Sequence, residues 1–309
     1  MVTIGVFDGV HRGHQLIIGQ AVEQARALGV PAVVLTFDPH PSQVVRPGSH
    51  PPMLTGPHAK AEVLQALGVD VLCLMPFTVE FSRLGPDEFV HAVLVEHLHA
   101  SSIVVGENFR YGHRAAGDIA SLAAAGRRFG FSVEGVPLQG AEDTTWSSTY
   151  VRSCVDAGDV EGAARALGRE HRIDGVVVRG DQRGRVIGYP TANLEPLPWS
   201  AVPADGVYAG RLLRAGTTDG PGAQALPAAI SIGTNPTFAG RERRVEAFVL
   251  DAEPGLDLYG EHVALTFTAR LRETLAFDGV DPLVQQMGRD VARTREVLGL
   301  PARQAHPAG

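Results

Sequence analysis

His11 and His14 stand three residues apart in a glycine-punctuated turn, Phe7-Asp8-Gly9-Val10-His11-Arg12-Gly13-His14, just after an apolar stretch at the head of the chain. The helical pattern Gln15 to Leu28 follows at once. On a first helical turn, residues at i and i+3 share a side. The helix N-terminus adds unpaired N–H groups and a partial positive charge. Gly9 and Gly13 let the backbone approach a ligand with no Cβ in the way. Imidazoles and N–H groups gathered like this suit the charge that develops on a phosphoryl group under attack. A capping turn or half of a metal site would use the same residues. No third ligand stands at metal spacing nearby, which argues against zinc.

A second set lies far along the chain, in Gly184-Arg185-Val186-Ile187-Gly188-Tyr189-Pro190-Thr191-Ala192-Asn193-Leu194. Pro190 fixes the backbone, and the Thr191 hydroxyl and Asn193 amide oxygen are hard ligands, suited to Mg²⁺ bridging nucleotide phosphates. Glu246 falls in an apolar strand pattern, with Ala247, Phe248 and Val249 behind it. A carboxylate there is costly unless it is paired or has a task. From the residues alone, a glycine-proline turn and a solvent-facing edge glutamate remain open as rivals.

The elements that must hold these groups fall into two textures. Strand patterns at Val2 to Phe7, Pro31 to Phe37, Val69 to Met75, Ser102 to Val105 and Phe131 to Val136 alternate with helical patterns at Gln15 to Leu28, Lys60 to Leu67, Asp87 to Leu98 and Ile119 to Phe129. Nearly continuous apolar strands between helices predict a parallel α/β sheet, whose ligands bind at the carboxyl ends of its strands. Val151 to Leu167 reads as one helix. Beyond Gly168 the segments shorten and Gly and Pro become frequent. Strand patterns at Ile173 to Val178, Gly206 to Leu213, Ala228 to Ile232, Arg244 to Leu250 and His262 to Leu271 predict an antiparallel barrel or sandwich, closed by a helix over Asp281 to Leu298. The expected domains are 1–168 and 169–300, with a surface loop at Thr217 to Gly222 and a disordered tail over 301–309.

The 309 residues suffice for two ordinary domains, and 44% hydrophobic with 20% charged residues is a globular balance. A net charge of −7 argues against a general nucleic-acid binder. No apolar run approaches a membrane span, and no secretory signal is expected. Cys73 and Cys154 stand in unrelated settings, so a disulfide is not expected and a reducing cytoplasm is.

The turn from Phe7 to Gln15 resembles the N-terminal signature of the bifunctional bacterial riboflavin kinase/FAD synthetase family, within the wider HxGH nucleotidylyltransferases. Gly188 to Asn193 resembles the same family's riboflavin kinase signature. Further segments match in the family's order: Thr36 to Pro41, Gly106 to Gly112 with Arg114 and Asp118, Trp146 to Arg152, Ser231 to Phe238, Val245 to Asp251, Asp257 to Gly260, and Leu271 to Glu273.

The resemblance implies a Rossmann-like FMN adenylyltransferase domain followed by a mostly antiparallel β-barrel riboflavin kinase domain with a terminal helix. It gives His11, His14, Arg152 and Glu246 catalytic roles, Glu246 as the base. It implies ATP or phosphate contacts at Gly5, Phe7, Gly9, Gly13, Ser147, Ser148, Thr149, Gly184, Arg185, Gly188, Thr191 and Asn193. Flavin contacts are implied at Asp38, Pro39, Asn108, Phe109, Arg110, Tyr111 and Arg272. Thr191 and Asn193 would hold Mg²⁺. The chain departs from the family at Tyr150, often Arg, and at Arg179, commonly His.

The implied activity is ATP-dependent phosphorylation of riboflavin to FMN, then adenylylation of FMN to FAD with release of pyrophosphate. The partners implied are riboflavin, FMN, FAD and ATP, with flavoenzymes as downstream recipients and neither nucleic acid nor membrane. Relatives usually carry a lead-in segment where Met1 here directly precedes the first strand. That motivates one alternative, a riboflavin kinase with an impaired adenylyltransferase domain. A non-catalytic flavin-binding regulator is the other.

Overall fold

The computed structural model describes residues 1–137, 140–141, 144–180, 184, 187–214, 225–237, 240–253 and 255–301. Arg185, the loop Thr217 to Gly222, and residues 302–309 of the expected tail lie outside the described residues. The chain separates into two compact units, Met1–Ser148 and Thr149–Gly309.

In the first unit, β1 (Val2–Ile4), β2 (Val33–Asp38), β3 (Val71–Pro76), β4 (Ser102–Gly106) and β5 (Ser132–Val136) form one parallel sheet in the order β3-β2-β1-β4-β5. The central strands β2, β1 and β4 are buried on both faces. Val2, Ile4, Leu35, Ile103 and Val105 enter one core cluster, and Met1, Val34 and Val104 the other. That two-sided burial is why these strands read as apolar runs rather than alternating ones. Helix α1 (Arg12–Leu28) buries Ile18, Ala21, Val22 and Ala25, an i, i+3, i+4, i+7 stripe, and ends on Gly29 in the left-handed region at φ 66°. The short α2 (Pro41–Val45), α3 (Pro57–Ala66) and α5 (Ile119–Phe129) are α-helical, whereas α4 (Pro86–Phe89) runs on as a π-helical segment over Val90–His97.

The strand expected over Val2 to Phe7 stops at Ile4. A Cβ on Gly5 would strike the Phe7 ring at 2.8 Å, and Phe7 itself turns the chain with φ 47°. A two-stranded ribbon, β6 (Gly140–Ala141) with β7 (Thr144–Thr145), follows the sheet.

The stretch read as one helix from Val151 to Leu167 is two: α6 (Ser148–Ala157) and α7 (Val160–Leu167). Gly158, at φ 76°, ends the first, and the Asp159 side chain caps the second by accepting from the Gly162 N–H at 2.8 Å.

The second unit holds a closed antiparallel barrel of β8 (His171–Val178), β9 (Ala192–Pro196), β10 (Gly206–Arg214), β11 (Ala225–Thr237), β12 (Gly240–Val249) and β13 (His262–Arg272), in the order β10-β11-β12-β9-β8-β13 with β13 returning to β10. Strand β8 alternates buried and half-buried side chains along its whole length. Tyr208, Leu212, Ile230, Leu265 and Phe267 fill the interior. The sequence pattern does not predict strand β9, because Leu194 is its one buried side chain and prolines stand before it and at its end. Helix α8 (Val280–Val297) packs against β10, β11 and β13.

The pairing of β10 with β13 slips between Ala209 and Gly210, and a Cβ at Gly210 would lie 1.9 Å from the Thr266 carbonyl oxygen. Gly210→Ala should therefore destabilise the barrel by about 1–3 kcal/mol, read as a lower unfolding midpoint of that unit. Gly19→Ala in α1, where a new Cβ meets nothing within 4 Å, should be neutral or stabilise by up to about 1 kcal/mol.

Candidate active sites

In the first unit the turn after β1 is buttressed from several sides. Asp8 is almost fully buried, and its carboxylate accepts from the Leu54 N–H at 3.0 Å and the Thr55 N–H at 3.2 Å. The Gly9 N–H donates to Thr55 Oγ1 at 3.0 Å, and Ser148 Oγ donates to the Asp8 carbonyl at 2.8 Å. Gly9 and Val10 hold φ values of 81° and 41°. A β-branched residue there costs about 1–3 kcal/mol, so surrounding contacts must impose the shape.

The turn delivers His11 as the N-cap of α1 and His14 one turn in. Their rings stack at 3.6 Å with 25° between planes, and Phe7 meets His14 edge-on at 5.1 Å. A Cβ on Gly13 would come within 3.2 Å of the His11 ring, so glycine lets that ring lie against the helix start. Burial first, then His11 and Lys60, push the His14 pKa well below its usual 6.5. Its Nδ1 is buried with no hydrogen-bond partner among the described residues.

The neighbouring strand ends carry the other expected residues. Asp38 and Pro39 are exposed at the carboxyl end of β2. Beyond β4, Asn108 and Arg110 are exposed, and Arg110 pairs with Asp118 at 3.5 Å. Tyr111 instead belongs to the core, packed on Phe89 with its hydroxyl 3.2 Å from Ser121 Oγ, while Phe109 stacks against it at 5.7 Å. Strand order reverses about β1, so the histidine turn and the loop after β4 bracket the position where such sheets take ligands. Ser147 and Ser148 lie at the end of this unit. Thr149 and Arg152 fall in the second, on the first turns of α6.

Sequence reasoning missed Lys60. It sits in α3 with 4% of its surface exposed, and its Nζ donates to the Val6 carbonyl at 2.8 Å. Burial lowers its pKa, partly offset by Asp8 and Asp38. A lysine inside an amphipathic helix pattern carries no sign of burial. Half-buried Phe37, Phe77 and Phe81 also line up at the ends of β2 and β3, with ring centroids 5.5 to 6.0 Å apart.

In the second unit, period-two geometry separates the barrel core from the site. Along β12, Val245, Ala247 and Val249 are buried, while Arg244, Glu246 and Phe248 face a cavity of about 370 Å³ outside the barrel wall. Register sets Glu246 opposite Asn193 on β9 and Ser231 on β11. Thr191 Oγ1 donates to Glu246 Oε2 at 3.2 Å. Gly184 lines the cavity, and a Cβ there would lie 2.2 Å from the Tyr189 carbonyl. At Gly180 a Cβ would meet the Asn193 amide at 2.5 Å, so that glycine makes room for the Asn193 side chain.

The outer wall of the cavity is α8, through Leu283, Met287 and Val291. Their i, i+4, i+8 spacing was the available signal. Arg272 also lines the cavity, but its guanidinium is committed: Nε and Nη2 fork onto the Asp290 carboxylate at 2.9 and 2.6 Å. A second, wider cavity of about 900 Å³ lies beside the first, lined by Arg179, Gly188, Pro190, Asp251, Asp257 and Tyr259 among others. Thr191 and Phe248 line both cavities. A smaller, more apolar cavity with a carboxylate thus adjoins a larger, more polar one, and a threonine stands at the junction.

Comparison with known proteins agrees with both halves. The family described as FAD synthetase matches residues 1–150, and the family described as riboflavin kinase matches residues 167–298. The bifunctional riboflavin kinase/FMN adenylyltransferase of Escherichia coli K12 is 35% identical, covering 97% of this chain and 93% of that protein. The protein of the same description from Listeria monocytogenes is 38% identical, covering 96% and 91%. A solved structure from Streptococcus pneumoniae, described as a macrolide-efflux protein, superposes with a TM-score of 0.84 at 35% identity, covering 95% of this chain and 93% of that one. Among the described residues of this chain, no helix is long and apolar enough to cross a membrane. With a matching family over each half and curated relatives aligned almost end to end, the chain belongs to the bifunctional riboflavin kinase/FMN adenylyltransferase family.

Proposed function

We propose that the chain makes FAD from riboflavin in two steps, with FMN as intermediate and ATP consumed in each. The reading keeps the domains at 1–168 for adenylylation and 169–300 for the kinase. The observation that carries it is Glu246, half-buried in the first cavity and bonded at 3.2 Å to Thr191, which lines both cavities.

In the kinase step the smaller, more apolar cavity takes the flavin ring and the wider one the nucleotide. Glu246 accepts the proton of the ribityl 5′-hydroxyl as that oxygen attacks the γ-phosphorus, and ADP leaves. Proximity does much of the work, since both reactants are held across one side-chain layer. Among the described residues, no three His, Cys, Asp or Glu side chains gather to hold a metal by themselves. That fits Mg²⁺ arriving with nucleotide phosphates, held by the hard oxygens of Thr191 and Asn193, where it would neutralise phosphate charge. Gly184 and Gly188 belong to the loop over the nucleotide. Arg272 acts on the flavin cavity by anchoring its outer wall.

In the adenylylation step a phosphate oxygen of FMN attacks the α-phosphorus of ATP and pyrophosphate leaves, with no covalent enzyme intermediate. The α1 N-terminus and the imidazoles of His11 and His14 donate to the charge that develops. Gly5, Phe7, Gly9 and Gly13 shape that turn. Asp38, Pro39, Asn108, Phe109 and Arg110 are assigned the flavin side from their strand-end positions. Tyr111 supports Phe109. Ser147, Ser148, Thr149 and Arg152 are assigned to ATP phosphates from the family pattern alone. The free Cys73 and Cys154 support a cytoplasmic site of action, with flavoenzymes receiving the product.

Incubating the protein with riboflavin and MgATP and separating the flavins tests the whole reading; absence of both FMN and FAD would sink it. Glu246→Gln should lower FMN formation by about 10²- to 10⁴-fold while FAD still forms from added FMN. His14→Ala should do the opposite, lowering adenylylation by about 10²- to 10³-fold with the kinase intact. Loss of both activities from either change in a folded protein would refute two separate sites.

A further inference from the structure

Lys60 is the most unusual side chain of the first unit. Lysines are almost never fully buried without a partner, yet this one keeps 4% of its surface exposed. Its ammonium donates to the Val6 carbonyl at 2.8 Å, and Thr36 Oγ1 donates to the same oxygen at 2.9 Å. Both lone pairs of that carbonyl are thereby used. Val6 immediately precedes Phe7, where the chain enters its left-handed bend toward the histidines. Thr36 and Lys60, from β2 and α3, therefore fix the point from which the strained turn departs.

The same cation shapes the electrostatics of the turn. His11 and His14 lie face to face at 3.6 Å, so a proton added to either ring sets an imidazolium against its neighbour. His14 also feels Lys60, and Phe7 gives it an apolar edge. Asp8 and Asp38 favour the charged form of Lys60. Asp8 is already engaged with the N–H groups of Leu54 and Thr55, and the Arg12 guanidinium lies over the Trp146 ring at 5.7 Å. The buried Nδ1 of His14, without a partner among the described residues, leaves the other ring nitrogen to meet a ligand.

We propose that Lys60 is a positioning residue for adenylyl transfer, bracing the Val6 carbonyl and setting a positive charge beneath the turn that presents His11 and His14. The inference rests on the adenylyltransferase reading. A neutral imidazole keeps one N–H for a phosphoryl oxygen and does not bind the phosphate of the substrate and of the product as a fixed ion pair, which would stabilise ground states as much as the transition state. The sign follows. Removing the cation lets His14 take a proton more readily, so its titration moves to higher pH, and the acid limb of adenylylation moves with it.

The test uses the full chain. Lys60→Gln keeps an N–H donor for Val6 but no charge, Lys60→Arg keeps the charge, and Lys60→Met removes both. Adenylylation of added FMN is followed against pH, the His14 ring protons are titrated by NMR, and riboflavin phosphorylation in the same sample reports an intact second unit. Lys60→Gln and Lys60→Met should move the His14 titration and the acid limb together to higher pH, and Lys60→Arg should leave both at the native position. A uniform loss of rate with an unmoved limb and titration would overturn the proposal and leave Lys60 a packing residue, as would a full native profile in Lys60→Gln. If the native chain adenylylates no FMN, the functional reading fails alone, because the NMR titration still decides whether Lys60 sets the charge of His14.

Discussion

The fork of Arg272 onto Asp290 holds α8 against the barrel, and the kinase half of the molecule depends on it. Without that helix, Glu246, Ser231 and Asn193 would face open water from the outside of a barrel rather than the inside of a cavity. The pair is well sequestered, with side chains 19% and 9% exposed, and Gln286 adds a third donor to Asp290 at 2.9 Å. Such a pair is weak as net stabilisation, but losing one partner strands a buried charge at a cost of about 3–5 kcal/mol. Its value is therefore geometric: it specifies one seating of the helix. A second clamp, Arg295 on Asp251, fixes the far end of α8 beside the wider cavity.

The first unit meets the same need by different means. Its histidine turn carries three left-handed residues in sequence positions 7 to 10, two of them not glycine. No local preference favours that path. It persists because Thr55, Thr36, Lys60 and Ser148 each hold a backbone group of the turn or of Val6 before it, and the Asp8 carboxylate ties it to the Leu54 and Thr55 N–H groups. Strain concentrated at a ligand-binding turn and sustained from outside is the usual arrangement for groups that must be in place before the ligand arrives.

Much of this was legible in the residues. The three central strands could be read because each is covered on both faces, the two edge strands from their apolar residues between helices, and Gly9, Gly13 and the histidines announced the turn. Glu246 stood out because a carboxylate in an apolar strand demands an explanation. What escaped has physical causes. Strand β9 buries one side chain, so its pattern was too faint beside its prolines. The break at Gly158 left the helical periodicity on either side intact. Lys60 and Asp290 look like solvated charges in helices, and only the packing of distant elements buries them. Tyr111 reads as a stacking ring in a glycine-bounded loop, yet the space left by Gly117, whose Cβ would lie 2.6 Å from that ring, draws it into the core.

The wall that the two kinase cavities share is one side chain thick, made of Thr191 and Phe248, with Tyr189 tilted against Phe248 at 5.1 Å. On the reading proposed above, a group handed from one cavity to the other has only that thin layer to cross. Water competes as acceptor from the first cavity, so a flavin lodged there displaces it and favours transfer over hydrolysis.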